Sequence, residues 1–145
     1  MKIHAVFMGL LLATWFLSVA VRSASESEYM VIVNDQVAVE QLDVKTVQAI
    51  FLGEKTQWAN GDRIVTVILE SGSIHELFMK EILRKTPMQF TTYWNQQLFT
   101  GKGIPPHSFA TIEQMIDFVS KTRGAIGYVP SSAIINNFKV VKIVE

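Results

Sequence analysis

Between residues 29 and 144, short β-branched runs alternate with stretches of helical periodicity, and this alternation limits the chain more than any other feature. Tyr29 to Asn34 (YMVIVN), Arg63 to Leu69 (RIVTVIL), Ala125 to Val129 (AIGYV) and Phe138 to Val144 (FKVVKIV) read as strands, each bounded by turn residues. Asp43 caps a helix carrying Val44, Val47, Ile50 and Phe51 on one face, which Gly53 ends. Ser73 with Glu76 has the spacing of a capping box, ahead of Ile74, Leu77, Phe78 and Ile82. Thr86-Pro87 with Gln89 opens a third helix through Phe90, Trp94 and Leu98. Thr111 with Gln114 opens a fourth, with Ile112, Met115, Ile116 and Val119 on one face. Residues 100–107 (TGKGIPPH) read as a loop, and Pro130-Ser131-Ser132 as a turn. Strands separated by helices predict an α/β architecture: a mostly parallel central sheet flanked by helices, in one domain.

The 145 residues, 49% of them hydrophobic, suffice for one such core and not for two. Part of the apolar content lies in the first 24 residues, where Lys2 and His4 precede an uncharged run from Ala5 to Val21. That is the pattern of a secretory signal peptide, with exits after Ala20 or Ala24, leaving residues 25–145 as the domain. An uncleaved anchor is the alternative, since the run only just reaches spanning length. The chain contains no cysteine, which excludes disulfides, thiolate nucleophiles and Cys-ligated zinc. Two of the 13 basic residues and none of the 13 acidic ones fall in the leader, so the remainder is slightly acidic and carries no charge signal for nucleic acid.

Several segments together resemble the phosphate-binding proteins of ABC transporters, of the type II periplasmic binding fold. "AIFLGEKTQW" (Ala49 to Trp58) is similar to a helix-end segment of that family, and Asn34 stands where the family often closes a strand with Asn. "VILESGSIHELF" (Val67 to Phe78) resembles the strand, Ser-Gly-Thr turn and helix that hold phosphate. "YWNQQLFTGKGIPP" (Tyr93 to Pro106) and "GAIGYV" (Gly124 to Val129) complete the likeness. It covers nearly all of residues 29–145 and corresponds to one of the two lobes of a full binding protein. The resemblance implies a periplasmic solute-binding-like protein, not an enzyme, that takes inorganic phosphate or a related oxyanion and works with an ABC permease. A protein-interaction or sensory module of the same fold, docking on an envelope protein, is the alternative. No cofactor is implied.

The ligand set so implied is Ser71, Gly72, Ser73 and Ile74. Lys102, in the Thr-Gly-Lys-Gly loop, and Arg123, beside Gly124, are the remaining cations available to assist, although a loop Lys is usually solvated and Arg123 also suits a helix C-terminus. A helix start after a Gly turn offers free N–H groups and the positive end of the helix dipole, which suits an oxyanion. The same residues also satisfy a simple capping box without any ligand. Where the family has an Arg before the turn, this chain has Leu69 and Glu70. A carboxylate there repels a dianion but accepts the proton of hydrogen phosphate. Other chemistries are poorly marked. "TGKG" lacks the spacing of a P-loop, His75 and His107 lack partners at metal-ligand spacing, and no serine has an elbow or triad context. Trp58, Tyr93 and Trp94 are expected in the core.

Overall fold

The structure, a computed structural model, describes residues 26–134 and 136–145. The signal-peptide reading therefore lies outside the described residues. In chain order the elements are β1 (Tyr29–Asn34), β2 (Gln41–Asp43), α1 (Val44–Phe51), β3 (Val65–Leu69), α2 (Ser73–Glu81), α3 (Pro87–Phe99), β4 (His107–Phe109), α4 (Ile112–Lys121), β5 (Ala125–Pro130) and β6 (Phe138–Val144). The sheet runs β2-β6-β1-β5-β3-β4. β2 with β6, β5 with β3 and β3 with β4 are parallel pairs, while β1 lies antiparallel to both β5 and β6. Five of the six strands thus share one direction, and the sheet is mostly parallel, as the alternation of strands and helices predicts.

Two strands were not expected. β2 and β4 are each three residues long, too short for a period of two to declare itself, and both sit at sheet edges. β4 begins at His107, the last residue of the stretch read as loop.

Successive residues of the central strand β5 show how the layers form, because neighbouring side chains on a strand point to opposite faces. On the Gly127 side, α4 packs so closely that a Cβ there would lie 3.0 Å from Met115 Sδ. On the Tyr128 side, the phenol ring stacks on Phe78 of α2 with centroids 4.0 Å apart, and Phe51 of α1 closes the group. Helices therefore cover both faces of the sheet, with Ile32, Val33, Phe51, Phe78, Met115 and Tyr128 almost wholly inaccessible.

Three of the four helix starts form as read. Asp43 accepts from the Thr46 N–H at 2.8 Å, and Thr86 and Thr111 each close a reciprocal capping box with Gln89 and Gln114. The apolar stripe of α3 holds through Phe90 and Trp94 but stops before Leu98, which is 59% exposed. Trp58 and Trp94 are buried, each donating its indole N–H to a backbone carbonyl, of Gly124 and Phe51 respectively. Asn34 is buried at the end of β1, where its amide donates to the Val119 and Ser120 carbonyls and so satisfies the C-terminal end of α4. No helix among the described residues is long and apolar enough to cross a membrane.

Candidate functional site

The fourth helix start departs from the capping-box reading. The residue preceding α2 is Gly72, at φ 105°, and no side chain caps the helix. Ser73 is already the first helical residue, so its hydroxyl is carried past the position from which a cap reaches back to N3. Glycine makes this entry possible, since a φ of that value is strained for any side chain. The consequence is chemical: the first-turn N–H groups of α2 keep their donor capacity.

Those groups face a pocket of about 310 Å³ at the C-terminal end of β3. One wall is the turn Ser71, Gly72, Ser73 and Ile74; the other is Thr111, Ile112 and Glu113 at the start of α4. Two helix N-termini thus converge on one cavity, and each contributes partial positive charge and backbone donors. The wall from α4 also brings the Glu113 carboxylate, and Glu70 and Glu76 stand in the adjoining segments. Among the described residues, no cation lines the pocket.

Lys102 and Arg123 are not brought to this cavity. Lys102 lines a different cavity, at the other end of β3. Arg123 follows the C-terminal end of α4, about 15 Å along that helix from Thr111 at the usual rise. There its Nε donates to Asp62 Oδ2 at 2.8 Å, and the guanidinium holds the Asp62 carboxyl below the usual range. The sequence offered these cations only as candidates to offset the absent Arg; their actual positions depend on packing between segments far apart in the chain.

Directly beneath the α2 start lies a group the sequence did not flag. The Tyr128 hydroxyl accepts the Leu69 N–H at 3.1 Å and stands 2.7 Å from His75 Nδ1. It therefore ties the last residue of β3 to the first turn of α2, fixing the turn between them. Burial holds the His75 imidazole below its ordinary pKa, a shift that nearby Glu76 partly opposes, and pushes the Tyr128 phenol well above its own. A depressed histidine means that the unfolded chain takes up a proton before the folded one does. The stability supplied by neutral His75 is fully present above its unfolded pKa of about 6.5 and is lost as pH falls through the lower folded value. Urea unfolding between pH 7.5 and pH 5 is expected to show a smaller loss of stability for His75→Gln than for the parent. Equal slopes would remove His75 from the acid response.

Helices on both faces, five co-directional strands and a glycine-led helix start at a strand end make up an α/β lobe whose fold matches part of solved periplasmic binding proteins. In particular, the chain is similar to an ABC-type phosphate transport receptor from Vibrio cholerae, with a TM-score of 0.56 and 13% identity over 80% of this chain and 46% of the receptor. It is likewise similar to PstS from Borrelia burgdorferi, with a TM-score of 0.61 and 15% identity over 80% of this chain and 47% of that one. A phosphate-binding protein from Stenotrophomonas maltophilia gives a TM-score of 0.59 and 20% identity, over 81% and 39%. The chain spans under half the length of each. No family model and no curated protein is matched by the sequence. At these identities the likeness establishes the fold, and the chain is a single-lobe structural relative of these proteins.

Proposed function

We propose that this is an exported solute-binding-like protein that takes phosphate or a related oxyanion at the start of α2 and serves an ABC permease, without catalysing a reaction. The observation that carries the reading is the uncapped α2 start at Gly72, facing the α4 start across one pocket. An oxyanion there accepts from first-turn backbone donors that no side chain of the described residues caps, and Ser71 and Ser73 add hydroxyl donors. Glu113 selects among anions. Its carboxylate accepts the proton of hydrogen phosphate and repels sulfate, which has no proton to give at neutral pH. The similar structures from Vibrio cholerae and Stenotrophomonas maltophilia are named as a phosphate transport receptor and a phosphate-binding protein, which agrees with a binding role.

Calorimetry of the purified protein is expected to give phosphate binding in the millimolar range, because no cation lines the pocket, and still weaker sulfate binding. Glu113→Gln should raise sulfate affinity by about 3- to 10-fold by removing one like charge. Absence of heat at 10-fold above about 1 mM phosphate counts against solute capture. The same lack of cations favours a second reading, an interaction module of this fold that docks on an envelope protein. Its mark is phosphate-independent capture of a single envelope protein that Ser73→Ala leaves intact.

A further inference from the structure

Three cations of this domain meet at the opposite end of β3 from the α2 start. A cavity of about 390 Å³ opens there, with Lys55, Arg63 and Lys102 on its lining and no carboxylate. A smaller one of about 170 Å³, also lined by His107, adjoins it and shares Arg63, Ile64, Thr66 and Ile104. None of the three cations forms an ion pair among the described residues.

The fold holds them there by separate devices. Residues 56–64 form a small hairpin, with Ile64 N–H donating to the Thr56 carbonyl at 2.9 Å and Gln57 bridged to Arg63. The nearest acid of that hairpin, Asp62, is drawn away to Arg123. Lys102 rides on a loop laid over Trp94, where a Cβ on Gly103 would come within 3.0 Å of the indole ring. Trp94 is itself anchored through its N–H to the Phe51 carbonyl. Ile50, Ile64 and Ile104 supply apolar wall, and Thr56, Gln57 and Thr66 supply polar groups without charge.

Three like charges around one concavity repel each other, and the repulsion is relieved when an anion enters. The volume lies within the range of small-molecule sites, and apolar walls with a few convergent polar groups are their usual make-up. We propose that this cavity is a second binding site, independent of the α2 start, for a small organic anion of two or more negative charges with an apolar portion. The charges meet Lys55, Arg63 and Lys102, and the apolar portion packs against the isoleucines. Inorganic phosphate satisfies only the first requirement and binds here more weakly.

Amide NMR with phenyl phosphate as the probe tests this, because the two ends of β3 report separately. The expected result is saturable shifts at Gly53, Thr56, Thr66 and Gly103, half-complete at or below about 1 mM. Ser71 to Ile74 are expected to shift less at that concentration. Arg63→Gln and Lys102→Gln, both at exposed positions, should each weaken the cavity response about 5- to 10-fold with the spectrum otherwise preserved. Neutral benzyl alcohol should produce no saturable shift. The proposal is overturned if phenyl phosphate gives no saturable shift at these amides, if benzyl alcohol matches it, or if both variants bind as the parent does. Shifts confined to Ser71–Ile74 would overturn it while leaving the α2 site standing.

Discussion

Gly124→Ala is expected to destabilise the fold by about 2–5 kcal/mol, measured by urea unfolding. Gly124 sits at φ 78°, where a side chain is strained, and that alone costs about 1–2 kcal/mol. The larger part is steric. A Cβ at this position would collide with the Arg63 carbonyl oxygen, which is backbone and cannot swing aside. The approach is close because β5 starts here beside β3: the Gly124 carbonyl accepts both the Val65 N–H at 3.1 Å and the Trp58 indole N–H at 3.0 Å. Displacing Gly124 loosens all three segments. Gly61→Ala supplies the control, since Gly61 has φ 87° but open space where its Cβ would go. It should lose only the backbone part, about 1–2 kcal/mol. Equal losses at the two glycines would mean that the contact between Gly124 and Arg63 is unimportant.

Trp94→Ala should cost about 3–5 kcal/mol, the range for removing a large buried aromatic. The indole is 5% exposed, touches Phe90 and Tyr93 edge to face, and donates to the Phe51 carbonyl at 3.3 Å. Glycines flank it because nothing larger fits: a Cβ on Gly53 would come within 2.7 Å of the ring. Alanine therefore leaves a void between α1, α3 and the loop that carries Lys102, and rigid neighbours close it only in part. The expected signature is a lower unfolding midpoint together with faster amide exchange at Gly101 and Gly103, the loop having lost its platform. Loss of stability with unchanged exchange in that loop would show that Trp94 supports α3 alone.

Much of the fold was legible because its signals are local. Asp43, Thr86 and Thr111 each act within one helical turn, and each caps as its neighbours in sequence require. β-branched runs marked all four long strands for a similar reason. Ser73 with Glu76 carries the same cap pattern and fails, because Gly72 takes a backbone conformation that puts Ser73 inside the helix. The pattern alone does not contain that φ angle. The edge strands β2 and β4 exist only by pairing with β6 and β3, so three residues of sequence had nothing to announce them.

The candidate site divides along the same line. Ser71 to Ile74 are consecutive, so finding the turn found them together. Glu113, the carboxylate facing that turn, arrives from α4. Lys102 and Arg123, candidate cations for the turn because no Arg precedes it, lie elsewhere, one with Lys55 and Arg63 and the other with Asp62. His75 and Tyr128, 53 residues apart, meet only because α2 covers the face of β5 to which Tyr128 points.

By itself the sequence determined the α/β class, the order of the long elements, three helix caps, the burial of Trp58 and Trp94, and the glycine turn at the α2 start. These follow from backbone propensity, side-chain periodicity and hydrogen bonds spanning a few residues. Only the tertiary structure decided that β1 runs against its neighbours, that the α2 and α4 starts share a pocket, and that Lys55, Arg63 and Lys102 meet at the far end of β3. Those outcomes depend on pairings between distant segments, where burial of apolar surface fixes which faces meet and the polar groups are carried along.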